Sequence, residues 1–349
     1  MQNRLIAIRL DFGPKFGLGH LTRCIILADF LKNNNIRVIF ISKLFVRNAQ
    51  KWIGKYEIIF LNNLCDENFG EWTQKLDAQL TLKALSQFQK IDWVIVDNYE
   101  LDSCWEQSVA IKYKVAAIED LRNRKHAASV IISESPTEFS SKLISNFENT
   151  RLLVGPKFSI IAKKPVKRNI NHTKPDYMQV LITYGASDLT NESIKALQVV
   201  VDWKKSIALK LKIKVALVIG PHYSNPKKLQ SECNKVGVQV YESPADIKQI
   251  LKRSDVVMTT GGNTMIEALN YCCITIVTKT EKNQIPLVEH LNQKGLIFDM
   301  GFHDEVSNNA MIGHLTYASE NMYRFSDYLL KNNPFDGCGC ARIYNELFL

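Results

Sequence analysis

A histidine stands where a glycine-containing loop runs into a helical pattern: Gly17-Leu18-Gly19-His20, with Arg23 one turn further on. An imidazole of ordinary pKa, about 6.5, is largely neutral near pH 7 and can take a proton from a hydroxyl or a water. Glycines ahead of it let backbone N–H groups approach an anion, and a helix start favours negative charge. The combination predicts proton transfer beside a phosphate. The loop lacks the full GxGxxG spacing, so the same residues also read as an ordinary strand-to-helix turn with His20 capping the helix.

A second set lies in the other half of the chain. Gly261-Gly262-Asn263-Thr264 precedes an apolar helical pattern, with Glu267 three residues on. Two glycines at a helix start would admit a diphosphate, and Glu267 could accept from ribose hydroxyls. Thr264-x-x-Glu267 is equally a capping-box spacing, which explains these residues structurally. Asn283 and Gln284 follow another apolar run and offer donors and acceptors without a buried charge, or simply form a polar loop. Gly185 and Ser187, in Thr183-Tyr-Gly-Ala-Ser-Asp188, close a further run, as do Asp97-Asn98-Tyr99 and Glu119-Asp120.

The elements that must position these groups are short apolar runs alternating with helical stretches. In the first half, strands are expected over 5–10, 37–42, 57–61, 93–96, 115–118 and 129–132, and helices over 20–33 and within 71–90. Leu21, Cys24, Ile25, Leu27, Ala28 and Leu31 make the apolar stripe of the first helix, and Arg23 falls off it. The alternation restarts with strands at 179–183, 214–219, 238–242, 256–259 and 274–278, and helices from about 191 and over 245–253 and 265–271. Near-continuous apolar strands alternating with helices predict an α/β fold with parallel sheets covered on both faces and ligands at the strands' carboxyl ends. The expectation is two Rossmann-like domains with a cleft between them. The first covers 1–162 and carries His20. A proline- and lysine-containing linker covers 163–176. The second covers 177–349, with a final helix able to pack back on the first.

The 349 residues suit two domains, and the composition is that of a soluble globular protein. No apolar run reaches the roughly 18 residues of a membrane span, and no signal peptide is read, so a cytoplasmic location without stable membrane association is expected. The net charge of +9 is diffuse apart from a cluster at 163–168 without interleaved aromatics, which suits a charged nucleotide better than nucleic acid. The eight cysteines form no CxxC pair and read as reduced thiols, and Cys338-Gly-Cys340 lacks partner ligands for a metal.

Gly17-x-Gly19-His20-x-x-Arg23-Cys24, Val96-Asp97-Asn98-Tyr99, Glu119-Asp120-Leu121, Gly155-Pro156-Lys157-Phe158, Thr183-Tyr-Gly185-x-Ser187-Asp188, Gly261-Gly262-x-Thr264-x-x-Glu267, Asn283-Gln284 and Asp336-Gly337-x-Gly339-x-x-Arg342 occur in this order. Together they resemble the UDP-sugar hydrolase family of pseudaminic acid biosynthesis, a nonulosonic acid pathway. That family cleaves UDP-2,4-diacetamido-2,4,6-trideoxy-β-L-altropyranose. Two departures stand out: the family usually has Asp-His-Tyr at 97–99 and Asp-Asp-Leu at 119–121.

The resemblance implies a GT-B-like fold, related to nucleotide-sugar glycosyltransferases, with UDP held mainly by the second half and the sugar facing the first. It maps the catalytic histidine onto His20 and further catalytic roles onto Tyr99 and Asn283, and Asp97 would orient His20. Gly17, Gly19, Arg23, Gly185, Ser187, Gly261, Gly262, Asn263, Thr264, Glu267 and Gln284 would bind substrate. The expected reaction is inverting attack of water at C1, giving UDP and free sugar, with no metal and no cofactor. Alternatives are a GT-B glycosyltransferase that uses a UDP-amino sugar and a non-catalytic sugar-nucleotide sensor. The expected partner is a small-molecule UDP-sugar, and the oligomeric state is left open.

Overall fold

In a computed structural model, residues 4–13, 18–43, 49–65, 71–121, 123–136, 150–161, 177–206, 212–244 and 247–349 are described. Gly17 and the expected linker over 163–176 lie outside the described residues. The chain divides into two compact units, Met1–Ala162 together with Gly337–Leu349, and Lys163–Asp336.

The first unit is built on β1 (Leu5–Leu10), β2 (Arg37–Ser42), β3 (Glu57–Phe60), β4 (Trp93–Asp97), β5 (Val115–Ile118), β6 (Val130–Ser133) and β7 (Arg151–Val154). They form one sheet in the order β3-β2-β1-β4-β5-β6-β7, and each adjacent pair is parallel. The helices α1 (Gly19–Asn33), α2 (Ala49–Ile53), α3 (Gln74–Leu85) and α4 (Ser103–Ala110) connect the early strands. Every residue of β1 and β4 is buried, because helices cover both faces of the sheet. The strand order reverses between β1 and β4, and their carboxyl ends flank the crevice where such sheets bind ligands.

The second unit has β8 (Tyr177–Thr183), β9 (Lys212–Ile219), β10 (Gln239–Glu242), β11 (Val256–Thr260), β12 (Ile274–Lys279) and β13 (Phe298–Phe302). The order is β10-β9-β8-β11-β12-β13, again parallel, and it reverses between β8 and β11. Its helices are α5 (Glu192–Ser206), α6 (Pro226–Lys235), α7 (Lys248–Leu251), α8 (Asn263–Asn270), α9 (Ile285–Gln293) and α10 (Asn308–Asn332).

Several elements depart from the sequence reading. Leu61 opens a 3₁₀ turn instead of ending β3, α3 is shorter than the stretch 71–90, and of 245–253 the described helical part is α7. β7, β13 and α10 carry no expectation from the sequence. β7 is a four-residue edge strand with an exposed start and an apolar run of only Leu152–Val154, and β13 is partly buried and interrupted by Asp299 and Gly301.

The closing helix α11 (Gly339–Phe348) belongs to the first unit. Cys340, Ile343 and Leu347 sit in the same core as Leu27, Leu31 and Trp93, and Trp93 Nε1 donates to Leu347 O at 2.9 Å. A Cβ at Gly339 would lie 2.1 Å from Ser159 O, so only glycine allows this helix to start there.

Two buried charge clusters brace the first unit. Arg9, on β1, is 1% exposed and grips two carboxylates: Asp77 at 3.1 and 2.6 Å and Asp11 at 2.8 and 3.1 Å. Trp105 and Trp72 donate to the same Asp77, and Asn98 Nδ2 donates to Asp11 at 2.7 Å.

The second cluster places His126 between Glu106 (2.6 Å) and Glu119 (2.5 Å), all three side chains 1% exposed or less. Burial alone would lower the imidazole's pKa, but hydrogen bonds to both carboxylates and their charges raise it from 6.5 to about 9. A raised pKa in the folded state stabilises fully below the unfolded value and is lost as pH rises through the folded one. Stability should therefore fall by on the order of 3 kcal/mol between about pH 6.5 and 9. Urea unfolding across that range checks it, and His126→Gln should remove the slope.

Candidate functional site

At the crevice of the first unit, the β1–β4 register sets Leu10 beside Asp97. The chain leaving β1 returns as α1, whose first turn carries His20 and whose second carries Arg23. His20 Nδ1 lies 2.5 Å from Asp97 Oδ1. Arg23 clamps the same carboxylate through Nε and Nη2 at 2.6 and 2.5 Å, and reaches Asp120 Oδ2 through Nη1 at 2.7 Å. Arg23 is thus buried, not turned off the packed side of α1, as the apolar stripe alone suggested. It lies one turn after His20, so both reach the strands' carboxyl ends.

Burial would raise the Asp97 carboxyl, yet Arg23 above all, and then His20, hold it well below the usual carboxylate range. An ionised carboxylate only accepts, so His20 Nδ1 carries the proton and donates to Asp97. Nε2 is then the basic nitrogen, and among the described residues nothing bonds it. Tyr99 packs edge-on to the His20 ring, centroids 4.4 Å apart, and donates to Asp120 at 2.8 Å. Burial, and then the charge of Asp120, push the Tyr99 phenol well above its ordinary range. Tyr99 is therefore a neutral hydrogen-bonding group near pH 7.

Asp120 has the role that sequence reasoning did not assign: it holds both Arg23 and Tyr99. The signal for it was the acidic pair at the end of an apolar run. Asn98 and Glu119 are both engaged within the first unit. Asn98 Nδ2 donates to Asp11. Glu119 bonds His126 and Arg124, and Arg124 Nη1 donates to Asn98 O at 2.6 Å. Arg124 thereby ties Glu119 to the backbone carbonyl of Asn98, between Asp97 and Tyr99.

At the crevice of the second unit, the loops after β8 and β11 carry Gly185, Ser187 and Gly261 to Thr264. Gly185 has φ 82°, which favours glycine, and Asp188 accepts from the amides of Glu192 and Ser193 at 2.8 and 2.9 Å, capping α5. Helix α8 begins at Asn263 with Gly262 as its N-cap. Thr264 is the second helical residue, so the capping box read from Thr264-x-x-Glu267 is not formed.

The two glycines differ in kind. A Cβ at Gly261 would meet Val288 Cγ2 at 2.5 Å and Gln284 Cβ at 2.9 Å, so packing against α9 already requires glycine. A Cβ at Gly262 would meet only Thr260 Oγ1 at 3.6 Å, and its φ is an ordinary −101°. The protein does not need glycine at 262; an anion approaching the start of α8 would. The Gln284 side chain is engaged by its own turn: Oε1 accepts from Thr280 N at 2.9 Å and Gly261 N at 3.3 Å. It fixes the glycine turn. Asn283 stands beside it in the 3₁₀ turn Lys282–Gln284 that precedes α9. Thr259 and Thr278 bury hydroxyls without a hydrogen-bond partner among the described residues.

Among the described residues no group of acidic, histidine or cysteine side chains is arranged to hold a metal ion, and no described helix is long and apolar enough to cross a membrane.

No protein-family model matches the chain. It is 25% identical over 278 residues, 76% of its length, to an uncharacterized protein of Methanocaldococcus jannaschii. The chain spans about half that relative, 53%. Among solved structures it is similar to Acinetobacter baumannii MurG, with TM-score 0.68 and 12% identity over 99% of each chain. It is similar to a glycosyltransferase of Rickettsia africae, with TM-score 0.62 and 13% identity over 99% of each chain. It is also similar to S. aureus MnaA, solved with UDP, with TM-score 0.65 and 14% identity over 99% of this chain and 96% of that one. At such identities the likeness shows architecture: an α/β protein of two parallel-sheet, Rossmann-like units, GT-B-like in fold.

Proposed function

We propose that the protein processes a nucleotide sugar, and that its reaction is hydrolysis of UDP-2,4-diacetamido-2,4,6-trideoxy-β-L-altropyranose to UDP and free sugar. The observation that carries this reading is the His20–Asp97 pair at the crevice of the first unit, with Nδ1 fixed and Nε2 basic. His20 is the general base that deprotonates water, and Asp97, clamped by Arg23, holds the tautomer and stabilises the imidazolium that forms. Tyr99 orients the water or a sugar amide. UDP is a good leaving group, so the remaining task is to hold diphosphate charge. We assign that to the amides at the start of α8, with Asn283 assisting. The order of motifs along the chain supports this substrate.

A second reading has a specific observation behind it. The Rickettsia africae neighbour is itself a glycosyltransferase, so transfer of the sugar to an acceptor hydroxyl is favoured by the fold comparison, where hydrolysis is not. One experiment separates them: incubation with the UDP-sugar alone in H₂¹⁸O. Hydrolysis at C1 gives fast UDP release, an inverted anomer and label in the sugar. No release without an acceptor selects transfer. Label in UDP means attack at phosphorus and removes the anomeric mechanism.

The diphosphate assignment makes its own prediction. Gly262→Val should fold, since a Cβ there has room, but should lower UDP affinity by about tenfold or more through a blocked approach. Calorimetry on the folded variant checks it, and unchanged affinity moves the diphosphate elsewhere.

A further inference from the structure

The segment between β5 and β6 carries a guanidinium that the mechanism above does not use. Arg124 lies beyond the acidic pair Glu119-Asp120, and its side chain is 10% exposed. Its place is fixed by what holds its neighbours. Glu106, on α4, lies 2.6 Å from His126 Nδ1 through Oε1 and accepts from the amides of Ala127 and Ala128 through Oε2. Ser103 N, at the start of α4, donates to Lys125 O at 2.9 Å, and His126 Nε2 reaches Glu119 Oε2 at 2.5 Å. The backbone that carries Arg124 is thus tied to α4 just beyond it, and the side chain leaves a braced support.

From that support the guanidinium makes three contacts. Nε donates to Glu119 Oε2 at 2.9 Å and Nη1 donates to Asn98 O at 2.6 Å. The group also lies over the Tyr99 ring, 5.7 Å from its centroid, which is within cation–π range. Tyr99 is held at its hydroxyl by Asp120 and stands edge-on to His20 at 4.4 Å. Asn98, the residue before it, donates to Asp11 and accepts from Glu100 N at 2.7 Å. Arg124 therefore grips both the backbone that leads into Tyr99 and the ring itself. A lysine would offer a point charge and could not serve carboxylate, carbonyl and ring together.

We infer that Arg124 is a positioning residue of the first-unit site: its guanidinium fixes the Tyr99 ring against His20 and so sets where the Tyr99 hydroxyl and the His20 imidazole stand relative to each other. Its loss should leave the unit folded, because Glu119 keeps His126. What goes is the anchor on Asn98 O and on the ring, and a displacement of about 1 Å at a site group costs on the order of 10²-fold in rate. The effect on turnover rests on the role proposed above for Tyr99; the effect on the ring does not.

Turnover of the UDP-diacetamido sugar by the parent, Arg124→Met, Tyr99→Phe and the double variant tests this. Arg124→Met should lower kcat by about 10- to 100-fold, with KM and UDP affinity within about twofold of the parent. Tyr99→Phe lacks the hydroxyl that is being placed. In that background the same change should cost at most about twofold more, because the two groups act as a unit. An unchanged kcat, a loss confined to KM, or full additivity in the double variant overturns the inference. If Arg124→Met does not fold, Arg124→Lys takes its place under the same criteria. If the parent releases no UDP at all, the function proposed above fails separately, and the ligand-free protein decides. The His20 ring C–H protons lie in the ring-current field of Tyr99, and their NMR signals are assigned by their loss in His20→Ala. In Arg124→Met they should move toward their positions in Tyr99→Ala, where the ring is gone. Signals left at the parent positions overturn the inference.

Discussion

His20→Ala should cut turnover by about 10²–10⁴-fold, the usual loss when a general base is removed. UDP affinity should stay at the parent value, because the nucleotide is assigned to the other unit. The imidazole bonds Asp97 through Nδ1, lies 3.2 Å from Arg23 Nη2 and packs on Tyr99, and its removal breaks no helix cap: α1 has no side-chain cap at its start. Asp97 keeps its Arg23 clamp in the variant, and the fold should persist. Steady-state UDP release alongside calorimetric UDP binding checks both halves. Near-normal turnover would take the base role from His20.

The second large effect is on stability. Arg9→Met should destabilise the first unit by about 3–5 kcal/mol, the cost of leaving a buried charge without its partner. Here two carboxylates lose the same partner, Asp11 and Asp77, and Trp72 and Trp105 both depend on Asp77 for their indole hydrogen bonds. The effect should reach the site as well, since Asp11 also anchors Asn98, between Asp97 and Tyr99. Urea unfolding gives the first number. A shift under about 1 kcal/mol would show that the cluster is a surface-like pair in energetic terms.

Much of the fold was legible because both sheets are parallel and doubly covered, so their central strands are near-continuous apolar runs: 5–10, interrupted by Arg9, and 256–259 are examples. The edges were harder. β7 and β13 are short and partly exposed: β7 has only three apolar residues in a row, and β13 is interrupted by Asp299 and Gly301. In the site, His20, Asp97 and Tyr99 were readable as polar residues closing apolar runs, and the structure brings them together. Arg23 misled because an apolar stripe says nothing about a charged side chain that finds two carboxylates in the interior. Asp120 was legible as part of an acidic pair closing an apolar run, but its partners Arg23 and Tyr99 come from other elements, which no local pattern encodes. Thr264 misled for a different reason: a capping-box spacing fits a helix start one or two residues away equally well, and Gly262 took the cap position.

The first unit encloses the second in sequence, not the reverse: Met1–Ala162 and Gly337–Leu349 share a core, with Lys163–Asp336 between them. During synthesis, therefore, the unit that emerges first is completed last. Residues 163–336 can fold from the ribosome as soon as they emerge, while Trp93, Leu27 and Leu31 must wait for Ile343 and Leu347 to cover them. The sequence separation of 254 between Trp93 and Leu347 makes this docking a slow, non-local step. The nascent chain accordingly carries an uncovered apolar face through the whole time needed to make the inserted unit, until α11 arrives.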